Sequence, residues 1–209
     1  MLRKKGGIMV VLSSPSGAGK TSLVKAICEL LTFVRPSISF TTRKIRDSEI
    51  DGRDYFFINK NKFEEKIKNN DFLEYQNVYG NLYGSTLESL DLCLKGNNDV
   101  ILEIDYKGMM TVKRSIPEAI AIYILPPDID TLKERLQKRG EDEEKTIMLR
   151  VASSEQELQY AKYADYTLIN DNYEQALDSL LAIILFNKVE KKYINKWTQQ
   201  ILNLNKHVV

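Results

Sequence analysis

Ser14-Pro15-Ser16-Gly17-Ala18-Gly19-Lys20-Thr21 lies between the apolar run Ile8 to Leu12 and a segment of helical character from about Lys20 to Leu31. That placement constrains the chain more than any other feature. An apolar run without alternation that meets a glycine-containing turn reads as a strand buried on both faces. Strand, turn and helix in that order form a phosphate-binding loop. Gly17 and Gly19 allow backbone conformations that turn amides inward, and the helix start adds partial positive charge. Lys20 neutralises β- and γ-phosphate oxygens, while Thr21 offers a hydroxyl ligand to Mg²⁺. Ser16, Ala18 and Ser22 complete the predicted donor cradle. Ser14 replaces the first glycine of the usual pattern, at the loop entry rather than beside Lys20. The motif specifies a nucleoside triphosphate and leaves its partner open.

Downstream, short β-like pieces near Ser37 to Phe40 and Tyr55 to Ile58 precede a polar helix near Lys60 to Asn69 and strands near Phe72 to Val78 and Leu82 to Gly84. This block is antiparallel in style and interrupts the first strand-helix unit. After a helix near Leu87 to Lys95, apolar strands at Val100 to Ile104 and Ala121 to Leu125 are separated by a stretch of parallel-crossover length. A helix from Ile129 to Lys138 stops at Gly140, the acidic cluster Glu141 to Glu144 opens another, and Tyr166 to Ile169 is a last strand before a helix from Tyr173 to Val189. The predicted class is α/β: a parallel sheet of the P-loop type flanked by helices, with an inserted mixed α+β subdomain and a helical lid.

At 209 residues the chain suits one folding unit with mobile parts. Lys plus Arg number 30 against 29 Asp plus Glu, which removes any general attraction to nucleic acid or to an anionic membrane. The run Ile8 to Leu12 is too short for a signal sequence or a span, so no export signal and no membrane segment are expected. Cys28 and Cys93 both fall in helical segments and suit reduced thiols in the cytoplasm better than a disulfide. A single histidine, His207, excludes a His-based triad, and the shortage of His and Cys excludes a structural zinc site.

The acceptor must be read from a second cluster. Ser39-Phe40-Thr41-Thr42-Arg43-Lys44-Ile45-Arg46 and Asp51-Gly52-Arg53-Asp54-Tyr55 place paired arginines and a phenol together, and guanidinium forks bind a terminal phosphate bidentately as lysine cannot. Phe72-Leu73-Glu74-Tyr75 and Asn81-Leu82-Tyr83-Gly84-Ser85 add a carboxylate, another phenol and a hydroxyl. Taken singly these are ordinary surface charges and half-buried aromatics. Their occurrence with the phosphate loop reverses that reading. Together with Leu102-Glu103-Ile104-Asp105 and Arg135-Leu136-Gln137-Lys138-Arg139-Gly140, these segments make the chain from about residue 7 to 185 resemble the guanylate kinases. Ile45 and Ser48 depart from that family's usual proline and glycine.

The resemblance implies ATP-dependent phosphorylation of GMP, and of dGMP. It implies that Arg43, Arg46, Tyr55 and Tyr83 hold the GMP phosphate, that Ser39, Glu74 and Ser85 read guanine, and that Glu103 lies in the GMP pocket. A carboxylate can accept together from guanine N1–H and the 2-amino group, donors that adenine lacks. Asp105, at the carboxyl edge of the sheet, is the candidate for the surroundings of Mg²⁺. Arg135 and Arg139, one turn apart, and Arg150 belong by resemblance to a lid over ATP. Asn170 and Asp171 are placed near adenine by resemblance, or cap the next helix. The expected division is residues 1–38, 88–130 and 151–190 for the core, 39–87 for GMP binding, 131–150 for the lid and 191–209 for a C-terminal extension. In that extension Ile194, Trp197, Ile201 and Leu204 form an apolar stripe, which packs on its own core or makes a homodimer contact. The rival readings are a non-catalytic phosphopeptide-binding module of the same shape and a kinase of another monophosphate.

Overall fold

The computed structural model describes residues 7–78, 80–140 and 144–204, with side chains described up to residue 189, Arg139 apart. Its centre is β1 (Met9–Ser13), buried along its whole length. Val10 and Leu12 face a cluster with Leu23, Ile27, Ile122, Ile124, Leu180 and Ile184, while Met9 and Val11 face one with Leu90, Leu102, Met109, Val112 and Tyr123. Both faces are covered by helices, which is why the strand shows no polar alternation.

The sheet built around it is parallel and five-stranded. Beside β1 lie β7 (Asp99–Glu103) and β8 (Ile120–Leu125), with β2 (Val34–Pro36) and β9 (Tyr166–Ile169) at the edges. The sequence reading did not foresee β2. Three residues ending in Pro36 give little period, and an edge strand tolerates a proline that an inner strand would not. On one face lie α1 (Lys20–Leu30) and α7 (Tyr173–Leu204), and on the other α3 (Leu87–Cys93) and α4 (Tyr106–Ser115). α7 is one helix where a break after Val189 was expected. No Gly or Pro follows Gly140, so nothing in the sequence stops it. Lys188 bonds Asp99 Oδ2 at 2.7 Å, and the Ile8 amide donates to Asp99 Oδ1 at 2.9 Å, so the buried acid ties α7 to the sheet. The stripe Ile194, Trp197, Ile201 and Leu204 lies outside the residues whose side chains are described.

A second, four-stranded sheet has the order β4 (Phe56–Phe57), β3 (Phe40–Thr41), β6 (Asn81–Thr86), β5 (Phe72–Val78). The expectation of an antiparallel block holds for β3 with β6 and for β5 with β6, whereas β3 and β4 pair parallel. Parallel neighbours need a crossover, and the long segment between Thr41 and Phe56 supplies one. α2 (Lys60–Lys68), capped by Asn59, buries Phe63 against Phe72 with ring centroids 4.5 Å apart. This gives the sheet a small core of its own.

After β8, α5 (Ile129–Arg139) starts at its cap Asp128 and ends at Gly140, and α6 (Glu144–Leu158) returns beside it. Leu132, Leu136 and Ile147 are buried between the two, with Val151 packed against them. Among the described residues no helix is long and apolar enough to cross a membrane.

Candidate active site

The loop from β1 to α1 is built from main chain. Gly17 and Gly19 have φ of 91° and 89°, values that favour glycine, and α1 begins immediately afterwards. Space is short as well: a Cβ on Gly17 would lie 3.0 Å from Leu136 Cγ on α5, and one on Gly19 would lie 2.3 Å from Asn170 Nδ2. Lys20 Nζ donates to the Ile104 carbonyl at 2.9 Å, across the end of β7. Ser14 Oγ bonds the Pro15 carbonyl, so the residue that departs from the motif turns its side chain onto its own loop.

Asn170 is 4 % exposed and serves the loop from beneath. Its Nδ2 donates to the Ala18 carbonyl at 2.7 Å, its amide to the Leu125 carbonyl at 2.8 Å, and its carbonyl accepts from Arg135 Nη2 at 2.8 Å. Neither Asn170 nor Asp171 caps α7; Asn172 does, accepting from the Gln175 amide at 3.0 Å. α6 reaches the loop as well, since Arg150 Nη1 donates to Ser16 Oγ at 3.4 Å. Arg135 Nη1 is buried with no hydrogen-bond partner among the described residues, a state that asks for a ligand or a movement. The side chain of Arg139 lies outside those residues. Ser22, in the first turn of α1, accepts at its carbonyl from Tyr173 Oη at 3.3 Å.

The second cluster is built from side chains. Arg43 Nε donates to Tyr83 Oη at 3.2 Å, Nη1 to the Lys44 carbonyl at 2.7 Å and to Glu49 Oε2 at 2.9 Å, and Nη2 to Glu49 Oε1 at 2.6 Å. Its guanidinium lies 5.5 Å from the Tyr55 ring centre, and the Tyr55 and Tyr83 rings meet edge to face at 5.9 Å. Glu49 also accepts from the Arg46 amide at 2.9 Å and stands 3.9 Å from Arg46 Nη1. Burial opposes the charge on Glu49, but the Arg43 and Arg46 contacts outweigh it and hold its carboxyl below the usual range. The two arginines and two tyrosines of the sequence reading are thus together, around an acid that reading missed. Its only sequence signal was its place, three residues after Arg46.

Beside them is a buried polar pocket. Ser39 Oγ and Ser85 Oγ are 3.0 Å apart, and Glu74 Oε1 accepts from the Ser85 amide at 3.0 Å. Glu74 is 4 % exposed, and burial, with the neighbouring charge of Asp105, pushes its carboxyl up to about 7. Asp105 caps α4 by accepting from the Gly108 amide at 2.8 Å. Glu103 takes a different position, accepting a short hydrogen bond from Thr21 Oγ1. Glu103 thus stands between the two clusters, at the phosphate-loop hydroxyl and near enough to the acceptor cage that burial and then its charge hold the Tyr55 phenol above its usual range, whereas Asp105 is beside the acid of the polar pocket. The sequence put them on one side of the strand, but Asp105 is already past its end, where the chain turns into α4.

Glu157 was also missed. It lies two turns beyond Arg150 on α6 and lines a polar cavity of about 260 Å³ with Asn77, Asp105, Lys107, Ser153 and Gln156. Burial, then Asp105, pushes its carboxyl up to about 7.

A sequence model of guanylate kinase matches residues 7–186. The guanylate kinase of Rickettsia felis is 42 % identical over 185 residues, 88 % of this chain and 96 % of that protein. That of Carboxydothermus hydrogenoformans is 42 % identical over 189 residues, 90 % of this chain and 93 % of that protein. Among solved structures, the guanylate kinase of Anaplasma phagocytophilum superposes with a TM-score of 0.69 at 26 % identity, covering 88 % of this chain and 86 % of that one.

Proposed function

This chain belongs to the guanylate kinase family, and from that premise we propose how its two anion sites carry out ATP-dependent phosphorylation of GMP. The single observation that carries the reading is a main-chain phosphate cradle ending in Lys20 on the same molecule as the cage of Arg43, Arg46, Tyr55 and Tyr83 beside a buried Glu74. One site suits a triphosphate tail. The other suits a monophosphate whose base has donors to give.

In this reading the loop from Ser16 to Ser22 holds the β- and γ-phosphates of ATP, with Lys20 as their counter-charge. The acceptor needs no separate base. A nucleotide phosphate, with its second pKa near 6, is already largely a dianion at neutral pH and is its own nucleophile. Catalysis is then alignment plus stabilisation of the charge that builds on the transferring oxygens, shared among Lys20, Arg135, Arg139 and Arg150 as the lid closes. The unsatisfied Nη1 of Arg135 supports such a movement. Asn170 supports the loop and the Arg135 contact from below, in place of a direct contact with adenine.

The Thr21 hydroxyl beside the Glu103 carboxylate is a hard oxygen pair that fits Mg²⁺. Thr21 and Glu103 would hold the ion or its waters, in the place first given to Asp105. The ion would neutralise phosphate charge and orient the transferring group. We assign residues 39–87 to acceptor binding, 131–150 to the lid, and the other core segments to the donor. Cys28 and Cys93 are free thiols, which supports a cytoplasmic location.

The base is set by Ser39, Glu74 and Ser85. A carboxylate buried among hydrogen-bond donors and acceptors of this kind is left uncompensated by AMP and matched by guanine N1–H and the 2-amino group. The test is a coupled ADP-release assay over the common nucleoside monophosphates with ATP and Mg²⁺. Turnover with GMP well above AMP and dTMP is expected. Turnover with another base alone would overturn the assignment of the acceptor pocket.

A further inference from the structure

Gly108 stands in the first turn of α4, against the back of the polar pocket. A Cβ built on it would lie 2.7 Å from Glu74 Oε2 and 3.2 Å from both Cβ and Cδ1 of Ile104. The first distance is shorter than real Cβ contacts allow, and the atom it meets is hemmed in. Glu74 Oε1 is fixed by the amide of Ser85, its partner on the neighbouring strand β6, and the residue is 4 % exposed. The helix turn cannot simply retreat, because Met109 and Val112 of α4 are fully buried in the core beneath the sheet. Glycine within a helix is intrinsically less favourable than alanine, so helix propensity would favour a Cβ here. What forbids it is the carboxylate and Ile104.

We infer that Gly108 is a positioning residue for base selection: its missing side chain is the space in which Glu74 Oε2 stands, so α4 and Ser85 together fix the acid that meets the acceptor base. The inference rests on the reading of Glu74 as the guanine acceptor. It gives α4 a part in choosing the substrate that its sequence, Tyr106-Lys107-Gly108-Met109, does not announce. The rival account is that Gly108 merely avoids crowding Ile104, a matter of packing with no bearing on the base.

A double-mutant cycle in the full-length protein separates these accounts. Gly108→Ala should raise KM for GMP about tenfold or more while KM for ATP changes less than about twofold, since a reacting or recognising group misplaced by an ångström is enough for such a loss. Glu74→Asp withdraws the carboxylate by one methylene and removes the 2.7 Å contact without touching Ile104. In the Glu74→Asp background, adding Gly108→Ala should therefore raise KM for GMP by less than about twofold. An equal penalty in both backgrounds overturns the inference and leaves the Ile104 account. If Gly108→Ala does not accumulate as folded protein, recovery of a cooperative melt in the Glu74→Asp, Gly108→Ala protein supports the inference, and no recovery overturns it. Glu74→Gln tells the two readings apart: an unchanged preference for GMP removes Glu74 as the guanine acceptor, whereas a lost preference with an additive cycle removes only Gly108.

Discussion

In the proposed reading the donor and acceptor sites bind the same kind of group by opposite constructions. The donor cradle is backbone: Gly17 and Gly19 at positive φ, the first turn of α1, and one lysine. The acceptor cage is side chain: Arg43, Arg46, Tyr55 and Tyr83, gathered from the crossover loop and β6 around Glu49. Main-chain amides cannot be cancelled by a neighbouring acid without dismantling the loop. Guanidinium forks can, and in this structure Arg43 spends Nε, both hydrogens of Nη1 and one of Nη2 on partners within the protein. A site made of amides is therefore ready before its ligand arrives. A site made of arginines must trade an internal anion for an external one.

The sharpest break between the two sites is Lys20→Met. Removing the lysine of the loop should lower kcat on the order of 10²–10³-fold, the range for deleting one group that stabilises transition-state charge. GMP binding, measured by calorimetry without ATP, should change little. A parallel loss of GMP affinity would mean that the two sites are not separable in this way.

Glu74→Gln comes next, and pH sharpens it. The amide keeps the shape but cannot accept both guanine donors, so KM for GMP should rise by about one to two orders of magnitude. Because Glu74 titrates near 7, the wild-type KM for GMP should also rise as pH falls below 7, and the variant should not share that limb. Stability carries the same signature. A carboxyl whose folded pKa is raised binds its proton more tightly in the native state than in the unfolded chain. Native stability from this group is full below about 4.5, is lost as pH climbs towards 7, and is level above. The melting temperature of Glu74→Gln relative to wild type should therefore increase across that interval.

Glu49→Gln probes the acceptor cage directly. The pair it breaks is mostly buried, with side-chain exposures of 14 % and 13 %, so the ligand-free protein should lose about 1–2 kcal/mol, measured by urea titration. Added GMP should then stabilise the variant more than wild type, because its phosphate no longer displaces a carboxylate. An equal gain in both would show that Glu49 and the phosphate do not compete. The smallest effect belongs to Ser14→Gly, which restores the usual loop pattern. Since Ser14 Oγ turns onto the Pro15 carbonyl of its own loop, KM for ATP should stay within about twofold.

The same contrast explains what could be read beforehand. The donor loop is contiguous, and its neighbours in sequence are its neighbours in space, so strand, turn and helix were legible from residues 8 to 31. Arg43, Tyr55, Glu74 and Tyr83 were legible as a cluster suited to a phosphate, and their separate roles only through a family pattern, which does not say what they touch without a ligand. Glu49 escaped because an acid in a polar loop looks solvated until its two arginines are seen around it. Asn170 was named, but its support of the loop was not: its bond to Ala18 spans 152 positions, and nothing local distinguishes a residue that props a loop from one that caps a helix. Asp105 was placed with the metal because strand alternation was extended two residues past the end of β7, to the residue that caps α4. The helix ending at Val189 and the stripe from Ile194 were read separately, although no residue between them breaks a helix, and α7 is continuous.

The carboxylate of Glu49 has one more consequence, in the crowded interior of a cell. A receptor whose positive groups are already matched offers a stray sulfate, a free phosphate or a strand of RNA little reason to linger. On the proposed reading, eviction of that internal tenant takes a visitor that arrives with two credentials at once, a phosphoryl end and a purine edge, so fidelity begins before any chemistry does.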